Sequence, residues 1–260
     1  MPQESPEQPR VFAHRGSSAT HAEHTLEAYL RAIEDGADGL ECDVRLTRDG
    51  HLVCLHDRRL DRTSDGRGRV SLHTLAELDR LDFGSWHSQS AKVLTLDRLL
   101  SVAVDAGRPL ELLIETKHPT RHGSAVEASV VDLLRRYGLL RPRPDDAVRA
   151  TVMSFSPTAI RRIRHLAPDV PTVMLIDKWA IASRTGRLPS GSSIGGPGIR
   201  VLQAFPELVD RLHRRGHRVF VWTVNRPDEV DLVLNLEVEG IISDHPAFVI
   251  SHLRSLGLRA

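Results

Sequence analysis

The sequence sets ionisable residues inside or just beyond short apolar runs. His14-Arg15 follows Val11-Phe12-Ala13. Glu41 and Asp43 stand two apart within Gly39–Leu46, His56-Asp57 follows Leu52–Leu55, and Glu115 ends the run from Leu110, with Lys117 two residues on. Side chains alternate along a strand, so Glu41 and Asp43 share a face, and Glu115 from a neighbouring strand would bring a third carboxylate to the same spot. Three acids gathered this closely repel and raise one another's pKa unless a hard divalent cation lies among them. An all-oxygen donor set favours magnesium, calcium or manganese over zinc. The competing reading pairs Glu41 and Asp43 with Arg45 or Arg48 and needs no metal, although Arg45, on the same face, can serve only one of them well.

His14 and His56 are a natural proton-transfer pair near neutral pH, where a lone strand-end histidine would otherwise read as a buried hydrogen-bonder. The reach of His56 depends on how the chain reverses at Leu46–His51. A two-residue Asp49-Gly50 turn sets Asp43 opposite His56, and a four-residue loop sets Glu41 opposite it. A three-residue bulged turn sends the imidazole to the other face unless a further bulge compensates. Arg15 and Lys117 suit an anion, since a guanidinium forks onto phosphate oxygens and an ammonium adds a compact charge. With a cation beside them they would selectively stabilise the second negative charge that a phosphodiester gains in its transition state.

These residues need a frame that brings strand ends together. Strand patterns cover Val11–His14, Gly39–Leu46, Leu52–His56, Leu110–Glu115, Arg149–Ser154, Pro171–Ile176, Ile199–Gln203, Arg218–Val224 and Gly240–Ser243. Helix patterns cover Thr25–Glu34, Ser124–Tyr137, Pro157–Leu166, Pro206–Arg215, Pro227–Leu234 and Pro246–Leu256, with proline at first turns and glycine just past the last, as at Pro206 and Gly216. Strict alternation implies a parallel sheet covered by helices, and with eight strands a TIM (β/α)₈ barrel; the ninth candidate, Leu52–His56, reads as an antiparallel extension of Gly39–Leu46. No glycine-rich dinucleotide or P-loop fingerprint supports an open doubly wound sheet. Residues 58–108 lack a clean strand and read as a cap segment inserted after the hairpin, at the barrel's reactive end. Ala180–Gly198 reads as an irregular loop.

The 260 residues suffice for one domain, residues 10–260, after a polar, proline-rich tail at 1–9. The 35 Lys and Arg nearly balance 34 Asp and Glu and are interspersed, which argues against a general nucleic-acid or membrane-surface binder. Cys42 and Cys54 are the only cysteines and are expected as buried free thiols. With no apolar leader and no run of 18 apolar residues, a soluble cytoplasmic protein without a membrane anchor is expected, its oligomeric state open.

The stretches HRG at 14–16, EHT at 23–25, ECDVRLTRDG at 41–50, LHD at 55–57, LLIETK at 112–117, SFSP at 154–157, VWTVN at 221–225 and GIISDHP at 240–246 together resemble the glycerophosphodiester phosphodiesterase family, in order and over nearly the whole chain. The resemblance implies a TIM barrel with an insertion after the His-Asp pair and a magnesium or calcium ion on Glu41, Asp43 and Glu115. It implies His14 and His56 as acid and base, and Arg15 and Lys117 on the phosphate of a small glycerophosphodiester. Trp222 would line the pocket for the glycerol backbone or simply pack the barrel. The implied reaction gives glycerol 3-phosphate and an alcohol, the substrate's own hydroxyl attacking first and water then opening a cyclic phosphate. Two departures stand out: Ala22-Glu23-His24-Thr25 replaces the family's Pro-Glu-Asn-Thr, and Leu94 stands where a proline commonly precedes Thr-Leu. Glu23 is expected to support the site from behind, and His24 to alter substrate choice or add a titrating group. Competing functions are the same machinery on lysophospholipids or cyclic phosphodiesters, and a silent barrel that binds phosphate metabolites.

Overall fold

Runs such as Leu110–Ile114 are apolar at nearly every position because helices cover their outer face while the barrel interior buries the other. The computed structural model describes residues 8–87, 89–143, 145–177 and 185–259. The strands are β1 (Arg10–His14), β2 (Gly39–Leu46), β3 (Leu52–Cys54), β4 (Leu110–Thr116), β5 (Val148–Ser154), β6 (Thr172–Ile176), β7 (Ile194–Pro197), β8 (Arg218–Val221) and β9 (Gly240–Ser243). All but β3 pair in parallel, and β1 hydrogen-bonds to both β2 and β9, which closes an eight-stranded TIM barrel. Only β3 runs antiparallel, on β2.

The helices are α1 (Leu26–Glu34), α2 (Leu75–Leu78), α3 (Leu96–Val104), α4 (Ala125–Arg136), α5 (Pro157–Leu166), α6 (Ile199–Ala204), α7 (Glu207–His213), α8 (Pro227–Asn235) and α9 (Pro246–Ser255). Their starts follow the sequence signals: Thr25, Thr95 and Ser156 each accept a hydrogen bond from the first helical turn, and Pro157, Pro227 and Pro246 occupy first-turn positions where no amide is needed.

Inside the barrel, Phe12, Leu113, Met153, Val173, Leu175, Ile194, Phe220 and Ile242 form one apolar plug. Two glycines make room for its rings, since a Cβ at Gly39 would lie 2.6 Å from the Phe12 ring and one at Gly240 2.5 Å from that of Phe220. Below the plug, Arg10 pairs with the buried Glu111, which also accepts from Thr151 at 2.7 Å. The plug leaves the strands' C-terminal ends as the place for polar groups.

One expected strand is corrected. Ile199–Gln203 is helical, within α6, and the seventh barrel strand is Ile194–Pro197, inside the stretch read as an irregular loop. Gly195 and Gly196 lack side chains for good reason: a Cβ on them would come within 2.8 Å of Leu212 and 2.7 Å of Val173. Tertiary packing therefore overrides the poor strand propensity of Ser-Ile-Gly-Gly-Pro. Residues 180–184 of that expected loop, and 1–7 of the expected tail, lie outside the described residues.

Of the three turns open for the hairpin, the structure has the three-residue one. Leu46 pairs with Leu52, and Thr47 N–H donates to the His51 carbonyl at 3.0 Å, so Arg48-Asp49-Gly50 form a three-residue turn with Gly50 at φ +86°. Between Leu55 and α3 the chain builds a short 3₁₀ turn at Val70–Leu72 and α2, around its own apolar cluster of Leu55, Leu60, Val70, Leu78, Phe83 and Val93. Cys42 and Cys54 are buried and free, and no described helix is long and apolar enough to cross a membrane.

Candidate active site

The register of the sheet gathers the acidic residues. His14 is paired with Glu41 across β1 and β2, and Asp43 with Glu115 across β2 and β4. Oxygen atoms of Glu41, Asp43 and Glu115 all lie within 4.8 Å of one another, and all three residues are buried. The competing ion pairs do not form: Arg45 donates to the His56 carbonyl, and Arg48 pairs with Glu77.

Positive charge partly offsets the cluster. Lys117 Nζ lies 3.2 Å from Asp43 Oδ1 and 2.8 Å from Glu115 Oε1. Arg15 Nε lies 3.1 Å from Asp43 Oδ2 without the alignment of a hydrogen bond, so the contact is Coulombic. Burial pushes the Asp43 carboxyl up, but the His24 hydrogen bond and the Lys117 and Arg15 charges outweigh it and hold Asp43 well below the usual carboxylate range. Glu41 and Glu115 go the other way. Burial, then the Asp43 charge, raises Glu41, and the same two causes push Glu115 up to about 8 against the pull of Lys117. Two of three oxygen donors thus resist ionisation beside the third, the behaviour expected of a set whose full charge suits a dication, so the residues fit a metal ion.

Each histidine is held by an aspartate. His14 Nδ1 lies 2.6 Å from Asp244 Oδ1, and His56 Nδ1 lies 2.7 Å from Asp57 Oδ1. A carboxylate only accepts, so Nδ1 carries the hydrogen in both rings and Nε2 is left for chemistry. Nε2 of His14 lies 4.0 Å from Glu41 Oε2. Although the three-residue turn gives the ladder parity that sends His56 away, β3 ends at Cys54 and the chain bends beyond it. The two hydrogen bonds from Arg45 to the His56 carbonyl, at 2.9 and 2.6 Å, fasten that bend, and His56 lines the same cavity as His14.

That cavity, about 200 Å³, has a polar side of His14, Arg15, Glu41, His56, Glu115 and Lys117. Its apolar side includes Met153, Phe155, Leu175 and Trp222. The Trp222 indole is fixed by a 2.7 Å hydrogen bond to the Gly196 carbonyl and packs edge-on against Phe155 at 5.4 Å. Seven of the eight residues singled out from the sequence therefore line one cavity, and Asp43 contacts Arg15 and Lys117 in its lining.

Of the supporting residues, Glu23 and His24 are expected from the sequence, and Asp244 carries no sequence signal beyond its place in Gly-Ile-Ile-Ser-Asp-His-Pro. Asp244, which orients His14, is held near 2: burial raises its pKa, but bonds from His14, Asn225 and Ser18 outweigh this. His24 is buried, with Nε2 2.9 Å from Asp43 Oδ2 and Nδ1 2.8 Å from the Tyr29 hydroxyl. Burial holds its pKa below the ordinary value despite Asp43. Glu23 supports Arg15 at 3.1 Å and takes a two-pronged contact from Arg62, both arms at 2.8 Å.

The family model described as "Glycerophosphoryl diester phosphodiesterase family" matches residues 14–248. The chain belongs to that family. A relative in Mycobacterium tuberculosis, named probable glycerophosphodiester phosphodiesterase 1, is 46% identical over 92% of this chain and 90% of its own. The glycerophosphodiester phosphodiesterase of Caldanaerobacter subterraneus is 31% identical over 95% of this chain and 98% of its own. Among solved structures, an Oleispira antarctica phosphodiesterase in complex with the product sn-glycerol-3-phosphate superposes with a TM-score of 0.79 at 26% identity, covering 95% and 97% of the two chains. A glycerophosphodiester phosphodiesterase from Parabacteroides distasonis gives 0.80 at 25% identity, covering 97% and 100%. Within this family, the site of the present chain keeps its charged residues on β1, β2, β4 and the chain just after β3, and its apolar wall on β5, β6 and the segment after β8.

Proposed function

We propose that the protein hydrolyses small glycerophosphodiesters to glycerol 3-phosphate and an alcohol, with His14 and His56 as the proton-transfer pair and a divalent cation on Glu41, Asp43 and Glu115. The observation that carries this reading is the pairing of each histidine with its own aspartate, both rings facing one cavity beside the three carboxylates. Bound by those oxygens, magnesium or calcium would polarise a phosphoryl oxygen as a Lewis acid.

His56 suits the base. Burial chiefly, with Arg15 and Lys117 adding, holds its pKa below the ordinary value, so it is neutral near pH 7. Its Nε2 would take the proton of the glycerol hydroxyl as that oxygen attacks phosphorus. His14, whose ring Asp244 orients through Nδ1–H, would give a proton from Nε2 to the departing alcohol oxygen as the P–O bond breaks. The roles reverse when water opens the cyclic phosphate. Arg15 and Lys117 would hold the phosphate oxygens, Trp222 and Phe155 the glycerol carbons, and the segment from Arg58 onward would cap the mouth.

The test is turnover of glycerophosphocholine and glycerophosphoethanolamine with chelator, and then with magnesium or calcium restored. Turnover that needs the ion and falls at least 100-fold in both His14→Ala and His56→Ala supports the reading. Full turnover in either variant overturns the acid–base pair, and turnover indifferent to chelator overturns the metal.

A further inference from the structure

Beside the catalytic cavity lies an open cleft lined by Arg45, Arg58, Arg69, Lys117 and Arg121, with Ser71 and Thr120 among its other walls and no acidic residue. Lys117 lines the cavity as well, so the two are adjacent. Strand geometry fixes the direction. Glu41, Asp43 and Arg45 share one face of β2, and each step of two residues moves about 7 Å toward the C-terminal rim. Arg45 therefore stands one step further out than Asp43.

Arg45 is held in place but not neutralised. Its Nε and Nη2 both donate to the His56 carbonyl, and no carboxylate lies within 4 Å of it among the described residues. Arg58, Arg69 and Arg121 likewise form no ion pair among the described residues. Their sequence neighbours do: Arg59 closes on Asp61, and Arg62 on Glu23 and Asp57. Four guanidiniums without a carboxylate partner thus line one cleft, which is what recognition of a doubly charged, multi-oxygen anion requires.

We infer that the cleft holds a second phosphate, and that the favoured substrates are glycerophosphodiesters whose departing alcohol carries a phosphate of its own. The inference rests on the proposed function for the first phosphate. A cationic alcohol such as choline gains nothing from this cleft and is repelled by it. Lys117 is already engaged by Asp43 and Glu115, so the arginines supply the selectivity.

The test compares three substrates: glycerophosphocholine, glycerophosphoglycerol, and glycerophosphoglycerol bearing a terminal phosphate on the glycerol that is released. Wild-type kcat/KM should favour the last at least about tenfold over glycerophosphoglycerol at low salt, and the preference should shrink toward 0.5 M salt. The triple variant Arg58→Ala, Arg69→Ala, Arg121→Ala removes exposed side chains only. It should lose the preference, about 10-fold or more, while glycerophosphoglycerol turnover stays within twofold. Equal kcat/KM for the two wild-type reactions, or an unselective loss in the variant, overturns the inference. Acceleration of glycerophosphocholine turnover by inorganic phosphate, abolished in the triple variant, would reassign the cleft to a free anion and overturn the substrate class. Failure of every diester to turn over would sink the proposed function instead. The cleft is then judged by calorimetry: two inorganic phosphate sites in the wild type and one in the variant support it, and equal stoichiometry refutes it.

Discussion

Replacing Asp244 by Asn tests the proposed mechanism away from the metal cluster. The carboxylate lies 2.6 Å from His14 Nδ1 and also accepts from Asn225 Nδ2 at 2.7 Å and Ser18 Oγ at 3.0 Å. The bond from His14 Nδ1–H to the carboxylate is charge-assisted, worth roughly 1.5–3 kcal/mol, and it fixes the tautomer and direction of the ring. Since 1.36 kcal/mol is a tenfold change, losing it corresponds to about 10–10² in rate if His14 acts as the proton donor. Loss of the correct tautomer adds to this and brings the expected loss to about 10²–10³. An amide also presents hydrogens to neighbours that already donate, which would unseat the His14 ring. The assay is steady-state glycerophosphocholine hydrolysis under saturating metal across pH 6–9, with metal affinity measured by calorimetry and thermal stability alongside. Expected are a kcat lower by two to three decades, KM within a few-fold, unchanged metal affinity and a modest drop in Tm. A variant that keeps more than half of wild-type kcat would show that His14 needs no carboxylate behind it and that the donor lies elsewhere.

Glu115→Gln keeps the shape of the side chain but removes one charged donor, so metal affinity should fall by at least the roughly 10–100-fold that outer partners command, read by calorimetry on the metal-stripped protein; unchanged affinity would remove Glu115 from the ligand set. Trp222→Phe deletes the hydrogen bond to Gly196 and some apolar area, so KM should rise about three- to tenfold with kcat nearly constant; a kcat effect alone would contradict a binding role. Acid stability should carry the signature of Glu23. Burial raises its pKa, but Arg62 and Arg15 bring it down to about 2 from 4.5, so its stabilisation is complete above the unfolded value and fades as pH falls from 4.5 toward 2. The shift corresponds to roughly 3 kcal/mol before screening and about 1–2 kcal/mol once the half-exposed Arg62 is allowed for. Denaturant midpoints of wild type and Glu23→Gln should converge near pH 2, and parallel curves down to that pH would refute the assignment.

The barrel and the eight principal residues were legible because their signals are local. A two-residue period puts Glu41 and Asp43 on one face whatever surrounds them, and strand–helix alternation determines which end of each strand is reactive. The misses are places where distant packing decides. Ile194–Pro197 becomes a strand because the approach of Leu212 and Val173 admits only glycine at 195 and 196, and no periodicity in Ser-Ile-Gly-Gly-Pro announces it. The hairpin was read through its Asp-Gly pair, yet Gly50 alone takes the positive φ of a three-residue turn. The face of His56 is then set by a bend that Arg45 fastens, which ladder parity cannot encode. Asp244 was visible within Gly-Ile-Ile-Ser-Asp-His-Pro, but its partner lies 230 positions away.

That last separation has a mechanical meaning. Asp57 neighbours His56 in the chain, so the second dyad needs only local structure. The first exists only when β9 closes on β1, and Asn225 fastens it by donating to Asp244 Oδ2 while its own oxygen accepts from Ser243 Oγ and the Asp244 amide. The β1–β9 seam therefore controls one of the two proposed proton-transfer groups and leaves the other alone. Asn225→Ala should loosen Asp244 and cost kcat by about tenfold, through His14, while metal binding at the β2–β4 pair is untouched. Equal damage to metal affinity would mean that the barrel responds as one rigid unit, and the separation of the two dyads would have no functional content.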